Sequence, residues 1–278
     1  MVAPIETLRV LVTVKAYPAV GKKHGEAVCV AGIDVDARRW IRLYPVPFRD
    51  LPDPNRFQKY ETIELRARKA ATDPRPESYT PDTGSIKVIR KRLPGGKARG
   101  RRAYVEPLES ASMCEIRRRR EADGTSLGVF RPAELVDFLV EEDRTPWDPE
   151  KQVRIDQTSL LMPGKTALEK VPYRFRYVYR CADPDCNGHR QMIIDWEIGA
   201  SFRRFRDRYG SEERAVEEVQ RKWTEELWGP NRDTFFYTGN HHDNPDGFLV
   251  LGVFWPEKLG PTGGGPSPAG QGELLPPR

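Results

Sequence analysis

The amino-acid sequence predicts a mainly β protein, with two small β-barrels in succession followed by an α+β unit organised around a Cys/His metal site. Three observations lead to this prediction. Short segments rich in β-branched residues recur between turn-forming stretches over the first third of the 278 residues. Near residue 175 aromatic and basic residues alternate with period two, and most of the Cys and His residues fall between positions 181 and 242.

The first barrel and a basic linker are expected over residues 1–102. β-branched and aromatic residues favour extended backbone, whereas Pro, Gly, Asn and Asp favour the turns between strands. The 70–85 connection contains three Pro and one Gly and is predicted to be a loop. Five short strands with such connections are typical of a small barrel. The predicted strands are residues 7–17, 26–34, 39–46, 60–68 and 86–91.

The second barrel is expected over residues 103–180, with strands that include 151–161 and 171–181. If its last strand is extended, aromatic residues share one face and arginines share the other. Such a face could stack nucleic-acid bases. The favoured interpretation is that it fills a core, because a core strand needs several aligned aromatics. The four residues are Tyr173, Phe175, Tyr177 and Tyr179.

The α+β unit is expected over residues 181–258, with a strand at 191–197 and two helices after it. Apolar residues at helical spacing predict a helix that ends near Gly210, and Ser211 can cap the next one. Two more strands are predicted at 234–237 and 248–255. The tail, residues 259–278, is rich in Gly and Pro and is predicted to be disordered.

The third predicted strand and the linker carry the candidate nucleic-acid contacts. The chain has a formal net charge of +5, but residues 1–140 hold 27 Lys and Arg against 18 Asp and Glu. This asymmetry favours a polyanionic partner, although Arg-rich genome composition is an equal alternative. A flexible basic segment can contact phosphates without sequence preference. The equal alternative is that this linker is only a solvated segment kept soluble by its charge. The candidates are Trp40, Arg42 and Tyr44 on the strand, and Arg90, Lys91, Arg92, Lys97, Arg99, Arg101 and Arg102 in the linker.

Cys181, Cys186 and His189 form a C-x4-C-x2-H pattern typical of a zinc ligand set. Pro184 and Gly188 supply turn chemistry that can bring the two sulfurs to one ion. His241 or His242 is the expected fourth ligand, with Asp195 as a weaker candidate. A structural Zn²⁺ is favoured over two reduced surface thiols and a loop His. Of the remaining cysteines, Cys29 is predicted to be a buried apolar residue, and Cys114 has no predicted role.

A catalytic version of the metal site is the alternative. It would keep three protein ligands and an open position for water, with Asp195 or Glu197 as general base and His242 as a further site residue. Against it, the Asp-x-Glu pattern is common and usually solvated. Other chemistries lack support, since the chain has no Walker, dinucleotide-binding or nucleophile-elbow motif.

Several short motifs resemble the first barrel of a bacterial dual OB-fold family. They are Val28–Asp34, Arg39–Pro45 and Tyr60–Leu65, the loop Asp73–Glu77, and Thr125–Gly128 at the second barrel. The resemblance spans about residues 7–180 and excludes the Cys/His part. It implies paired OB-type barrels and roles in nucleic-acid handling or microbial conflict such as antiviral defence. It identifies no binding residue.

Three functions remain open at this stage. The first is a non-enzymatic nucleic-acid-binding protein with a structural zinc site, for DNA or RNA. The second is a metal-dependent nuclease or hydrolase, and the third is a scaffold that contacts protein partners. A membrane role is not expected, because no run of about 18 apolar residues is present. Without a recognisable signal peptide, a cytoplasmic location is expected.

Overall fold

The computed structural model describes residues 3–21, 25–94, 99–150, 152–153 and 168–259, with only the backbone for 19–21, 25 and 99. The chain is mainly β, as predicted. None of the described helices is long and apolar enough to cross a lipid bilayer. The strands are β1 (Ile5–Lys15), β2 (Ala19–Gly21), β3 (Gly25–Asp34), β4 (Arg39–Val46), β5 (Thr62–Lys69), β6 (Ser78–Pro81), β7 (Lys87–Arg90), β8 (Leu127–Phe130), β9 (Pro132–Glu142), β10 (Tyr173–Cys181), β11 (His189–Met192), β12 (Phe235–His241) and β13 (Asn244–Phe254). The helices are α1 (Arg99–Val105), α2 (Met113–Asp123), α3 (Trp196–Tyr209) and α4 (Glu212–Arg221), and α4 continues into a π-helical turn (Lys222–Glu226).

Five strands close a barrel in the N-terminal part. Their order is β1–β3–β4–β6–β5, and β5 returns to β1 through seven antiparallel residue pairs. All neighbours are antiparallel except β4 and β6. Because successive side chains of a strand point to opposite faces, every second residue enters the barrel. The interior is packed with aliphatic side chains, among them Val10, Val12, Ile41, Leu43, Ile63 and Leu65.

Four predicted strands of this barrel are confirmed as β1, β3, β4 and β5, but the prediction of a loop over 70–85 is wrong in part. Ser78–Pro81 forms β6, which completes the barrel between β4 and β5. The predicted strand at 86–91 is β7, which pairs with β5 alone. Because β6 is short and ends at Pro81, its local sequence gives a weak strand signal, and its pairing with β4 and β5 defines it.

Two three-stranded sheets form the second part, in the orders β11–β10–β9 and β13–β12–β8. The chain passes from one sheet to the other at Arg131, between β8 and β9. At the opposite side Ile193 and Val250 form a parallel bridge. The regions predicted as a second barrel and as a C-terminal unit therefore share these sheets, because β8 pairs with β12.

Segments between the strands differ from the sequence prediction at two places. The linker predicted to be mobile includes α1, whose residues from Arg99 onward are helical. The strand predicted over 191–197 ends at Met192, and the side chain of Asp195 instead caps α3 by accepting from the N–H of Glu197. Ser211 caps α4 as predicted. The predicted strand 151–161 lies outside the described residues except for 152–153, which are helical, and the predicted tail lies outside them except for Leu259.

Three apolar clusters hold the fold together. One fills the first barrel, and another lies between the second part's strands and helices α2 to α4. The latter includes Phe175, Tyr177 and Tyr179, which confirms the core interpretation of this strand. The third lies between the two parts, where Leu11 and Ile33 of the barrel's outer face join a cluster with Tyr237, Leu251 and Phe254. Strand β1 is therefore buried on both faces.

Candidate functional site

Four potential metal ligands meet at the hairpin between β10 and β11. Cys181 ends β10, Cys186 lies in the connecting turn, and His189 begins β11. The fourth residue, Cys114, lies in the first turn of α2. All four ligand atoms lie within 4.8 Å of one another. The C-x4-C-x2-H residues are thus brought together, and a fourth potential ligand joins them.

The spacing of these atoms fits a tetrahedral zinc ion. With Zn–S bonds of about 2.3 Å and a Zn–N bond of about 2.0 Å, a tetrahedron separates two sulfurs by about 3.8 Å and a sulfur from the nitrogen by about 3.5 Å. The Sγ atoms of Cys114 and Cys181 are 3.6 Å apart. Nε2 of His189 lies 3.6, 3.3 and 3.3 Å from the sulfurs of Cys114, Cys181 and Cys186. The cluster could hold a metal ion, and its donors are consistent with zinc.

The turn backbone supports this arrangement. The N–H groups of Cys181 and Gly188 donate to Sγ of Cys186 at 3.5 and 3.4 Å. These bonds fix the position of the Cys186 sulfur within the turn. Gly188 has a φ of +94°, a conformation that a residue with a Cβ atom rarely adopts.

Polar contacts fasten α2 to the same turn. Oγ of Ser112 accepts from the N–H of Glu115, capping α2, and donates to Oδ2 of Asp183 at 3.3 Å. Arg118 donates to the same oxygen at 2.7 Å and so lowers the pKa of Asp183. These contacts hold Cys114 beside the hairpin.

Burial favours the neutral forms of two residues of the cluster. Burial raises the pKa of the Cys114 thiol to about 12, and Cys181 adds to the shift. Burial also lowers the pKa of His189, which favours the neutral imidazole that binds metal. A divalent cation would favour ionisation of the thiols, because it attracts the thiolates more strongly than they repel one another.

The other predicted ligands lie elsewhere. His241 is exposed, and its Nδ1 accepts from the N–H of Asp243. Nδ1 of His242 lies 3.6 Å from a carboxylate oxygen of Asp73. Cys114 precedes Cys181 by 67 residues. Ser112 and Glu115 form a helix-start signal, but such a signal does not predict where the helix packs.

Asp195 and Glu197, considered above for catalysis, contact a lysine instead of the cluster. Nζ of Lys59 donates to both carboxylate oxygens of Asp195 at 2.7 Å and lies 3.4 Å from Glu197. Burial opposes the charge of Lys59, but the two carboxylates outweigh it and raise its pKa. The buried pair therefore joins the first barrel to the start of α3.

The strand β4 face proposed for nucleic acid is mostly an internal contact. Trp40 is half-buried and meets the ring of Tyr237 edge-on at 6.0 Å. Arg42 is only 3% exposed, and its Nη2 donates to the carbonyl oxygen and Oγ of Ser126 at 2.9 Å. Tyr44 is 37% exposed. Two of the three side chains are therefore used between the two parts of the molecule.

The basic linker divides into exposed and structural residues. Arg90, Lys91 and Arg92 are exposed on and beyond β7. Arg102 is buried, with donors to Glu106, Asp233 and the carbonyl oxygen of Glu257. Lys97 and the side chain of Arg99 lie outside the described residues.

Arg101 lies in a cleft of about 570 Å³ between the first barrel and the end of β13. Its guanidinium stacks on Tyr60, 3.9 Å from the ring centre, and donates to the carbonyl oxygen of Leu93. Arg232 lies over Trp255 at 4.7 Å in the same way. Four cationic and two acidic residues line the cleft: Lys59, Arg92, Arg101 and Arg232, with Glu197 and Glu257.

Comparison with protein-family profiles gives two matches. Residues 109–271 match a domain of unknown function (DUF8757), and residues 6–107 match another (DUF8758). A search of curated proteins finds no match. The two matched regions divide the chain between α1 and α2. The region 109–271 contains all four potential metal ligands.

Proposed function

The chain belongs to the DUF8757 family, and we propose that it binds single-stranded nucleic acid and uses the Cys3His cluster as a structural zinc site. The cleft beside Arg101 is the binding surface. Phosphates contact its cations, and bases lie against its aromatic and apolar walls.

The observation that carries the proposal is the state of Arg92 and Arg232. Both line the cleft, and neither has an ion-pair partner among the described residues. The guanidinium of Arg232 lies over the ring of Trp255, and this contact restricts its position before any ligand binds. Proteins that bind single-stranded nucleic acid use cations to contact phosphates and aromatic side chains to stack on bases. Arg90 and Lys91 extend the positive surface outward along β7.

Strand order supports an OB-type interpretation of both parts. In the first barrel the order is β1–β3–β4–β6–β5, with one parallel neighbour pair. In the second part β9, β10 and β11 are followed by the parallel Ile193–Val250 bridge to β13, then β12 and β8. Five-stranded barrels of the OB type bind oligonucleotides. This resemblance in order favours paired barrels with a shared cleft.

The metal site supports a structural role over a hydrolytic one. Three sulfurs and an imidazole nitrogen would complete a tetrahedral zinc shell, whereas catalytic zinc keeps an open position for water. When bound, the ion would fix the β10–β11 hairpin to α2. The chain's own residues would then supply the nucleic-acid contacts.

The test is fluorescence anisotropy with a labelled 12-nucleotide oligothymidylate and its RNA counterpart, measured over a salt series. Binding should weaken with salt, and the R92A/R232A variant should bind at least tenfold more weakly with a shallower salt dependence. The control is R190A/R214A, which removes the same charge from exposed positions on β11 and α4. Salt-independent binding, or equal losses in the two variants, would contradict the proposal.

A further inference from the structure

A second cavity lies between β4 of the first barrel and the β12–β13 hairpin. Its volume is about 350 Å³, within the range of small-molecule sites. Much of its wall is apolar, with Ala27, Ile194, Leu249 and Leu251 among the lining residues. Arg42 and Asn240 supply polar atoms to the same wall.

Arg42 is incompletely satisfied in this cavity. Its Nη2 donates to Ser126, and its Nη1 donates to the carbonyl oxygen of Asn240 at 3.4 Å. Nε is buried and has no hydrogen-bond partner among the described residues. The carboxylate of Glu77 binds the N–H and Oγ of Ser126, so it does not pair directly with Arg42.

Arg75, the other arginine that lines this cavity, has an ion-pair partner that Arg42 lacks among the described residues. Arg75, on the same cavity, donates from Nε and Nη2 to both carboxylate oxygens of Asp73 at 2.8 and 2.6 Å. Its charge is therefore balanced within the protein. No described carboxylate forms an ion pair with Arg42, although it is only 3% exposed. A buried unpaired charge is costly, and an oxygen anion in the cavity would balance it.

We propose that this cavity binds a small organic anion, with its acidic oxygen against the guanidinium of Arg42 and its apolar body against the aliphatic wall. The acid is a carboxylate or a phosphate monoester, because each offers an oxygen acceptor to a guanidinium. A nucleic-acid strand fits less well, because a cavity of about 350 Å³ has the size of a small-molecule site. The site is independent of the cleft beside Arg101.

The experiment is calorimetric titration of the zinc-loaded full-length chain with phenylacetate, phenyl phosphate and phenylacetamide. The three probes share one ring and differ in their polar group. At least one anion should bind at least tenfold more tightly than the neutral amide. The tighter of phenylacetate and phenyl phosphate identifies the acid class. Binding of none, or equal binding of all three, would overturn the proposal.

Two variants locate the site. R42Q should abolish the preference for the anion over the amide. Because Arg42 also contacts Ser126, its loss could unfold the chain. A second variant therefore fills the cavity from Leu249, a half-buried residue of its wall. L249W should lower the affinity for the anion at least tenfold. V136W, at an exposed position on β9, should leave this affinity unchanged. Unchanged binding in L249W would overturn the proposal. Loss of oligonucleotide binding in R92A/R232A with intact anion binding would separate the two sites.

Discussion

The first barrel and the second part of the molecule hold their strands together by different means. The first barrel closes through its own backbone pairing, with seven residue pairs between β1 and β5, around an aliphatic interior. In the second part β8 and β12 share four residue pairs, and a parallel bridge at Ile193 and Val250 joins the two sheets. Its interior is aromatic, and the Cys3His cluster lies at its β10–β11 hairpin.

The difference indicates where each part obtains its stability. Continuous ladders and an apolar interior can stabilise a small barrel without a metal. In the second part the backbone pairing that joins the two sheets is a single bridge, so more of the stability rests on side-chain packing and on the cluster that ties α2 to the hairpin. Removing the proposed zinc ion should therefore destabilise the second part more than the first barrel.

Loss of the metal should have the largest effect. Structural zinc contributes about 10–16 kcal/mol of apparent binding free energy in small zinc-dependent peptides. Here the second part has a core of its own, so we expect C114S to lower its free energy of unfolding by several kcal/mol, about 10–15 °C in midpoint. Hydrogen exchange should show lost protection in β10 and β11, while β1 and β5 stay protected.

Elemental analysis provides the matched control for the metal. The wild-type chain and C29S should each contain one zinc per chain, because Cys29 lies on β3, outside the cluster. C114S should contain less. One full zinc per chain in C114S, or equal loss of protection in the first barrel and the second part, would contradict the comparison.

The next effect concerns the ion pair that joins the two parts. Lys59 and Asp195 are both buried, so K59M leaves a carboxylate unpaired and should lower the free energy of unfolding by about 3–5 kcal/mol. Urea denaturation measures the change. R66A removes an exposed partner of Asp82 and should cost less than about 1 kcal/mol. Equal effects of the two substitutions would show that the buried pair is not a link between the parts.

The smallest expected effect is a pH dependence at the same junction. Burial and the charge of Lys59 lower the pKa of Lys15 from 10.5 to about 8. Between these values the unfolded chain binds more protons than the folded one, so this group makes stability rise with pH. In K15M that rise should be smaller, and the variant should be more stable at pH 7 by about 1 kcal/mol.

Urea denaturation at pH 7, 8.5 and 10 measures this effect, with K87M on β7 as the control for loss of one exposed lysine. Cation–π contacts of Lys15 with Phe48 and Trp196 oppose the shift, which is why the expected gain is small. A wild-type profile parallel to that of K15M would remove Lys15 as its cause.

Local pattern predicts much of the fold but less of the candidate site. β-branched runs identified β1, β3, β4 and β5, because each is long enough to show its own preference. The pattern did not identify β6, which depends on its distant neighbours. Asp195 illustrates a related error. The sequence prediction places this residue in a strand, yet a carboxylate before an apolar helical stripe is also a good N-cap.

By itself, the sequence determined the strand-rich class, the two helices after residue 195 and the closeness of Cys181, Cys186 and His189, because each depends on neighbours within about ten positions. The tertiary structure decided that Cys114 completes the cluster and that Arg42 is buried between the two parts. It also decided that Arg102 is structural while Arg92 faces a cleft. These outcomes depend on packing between distant segments, for which residue spacing carries no information.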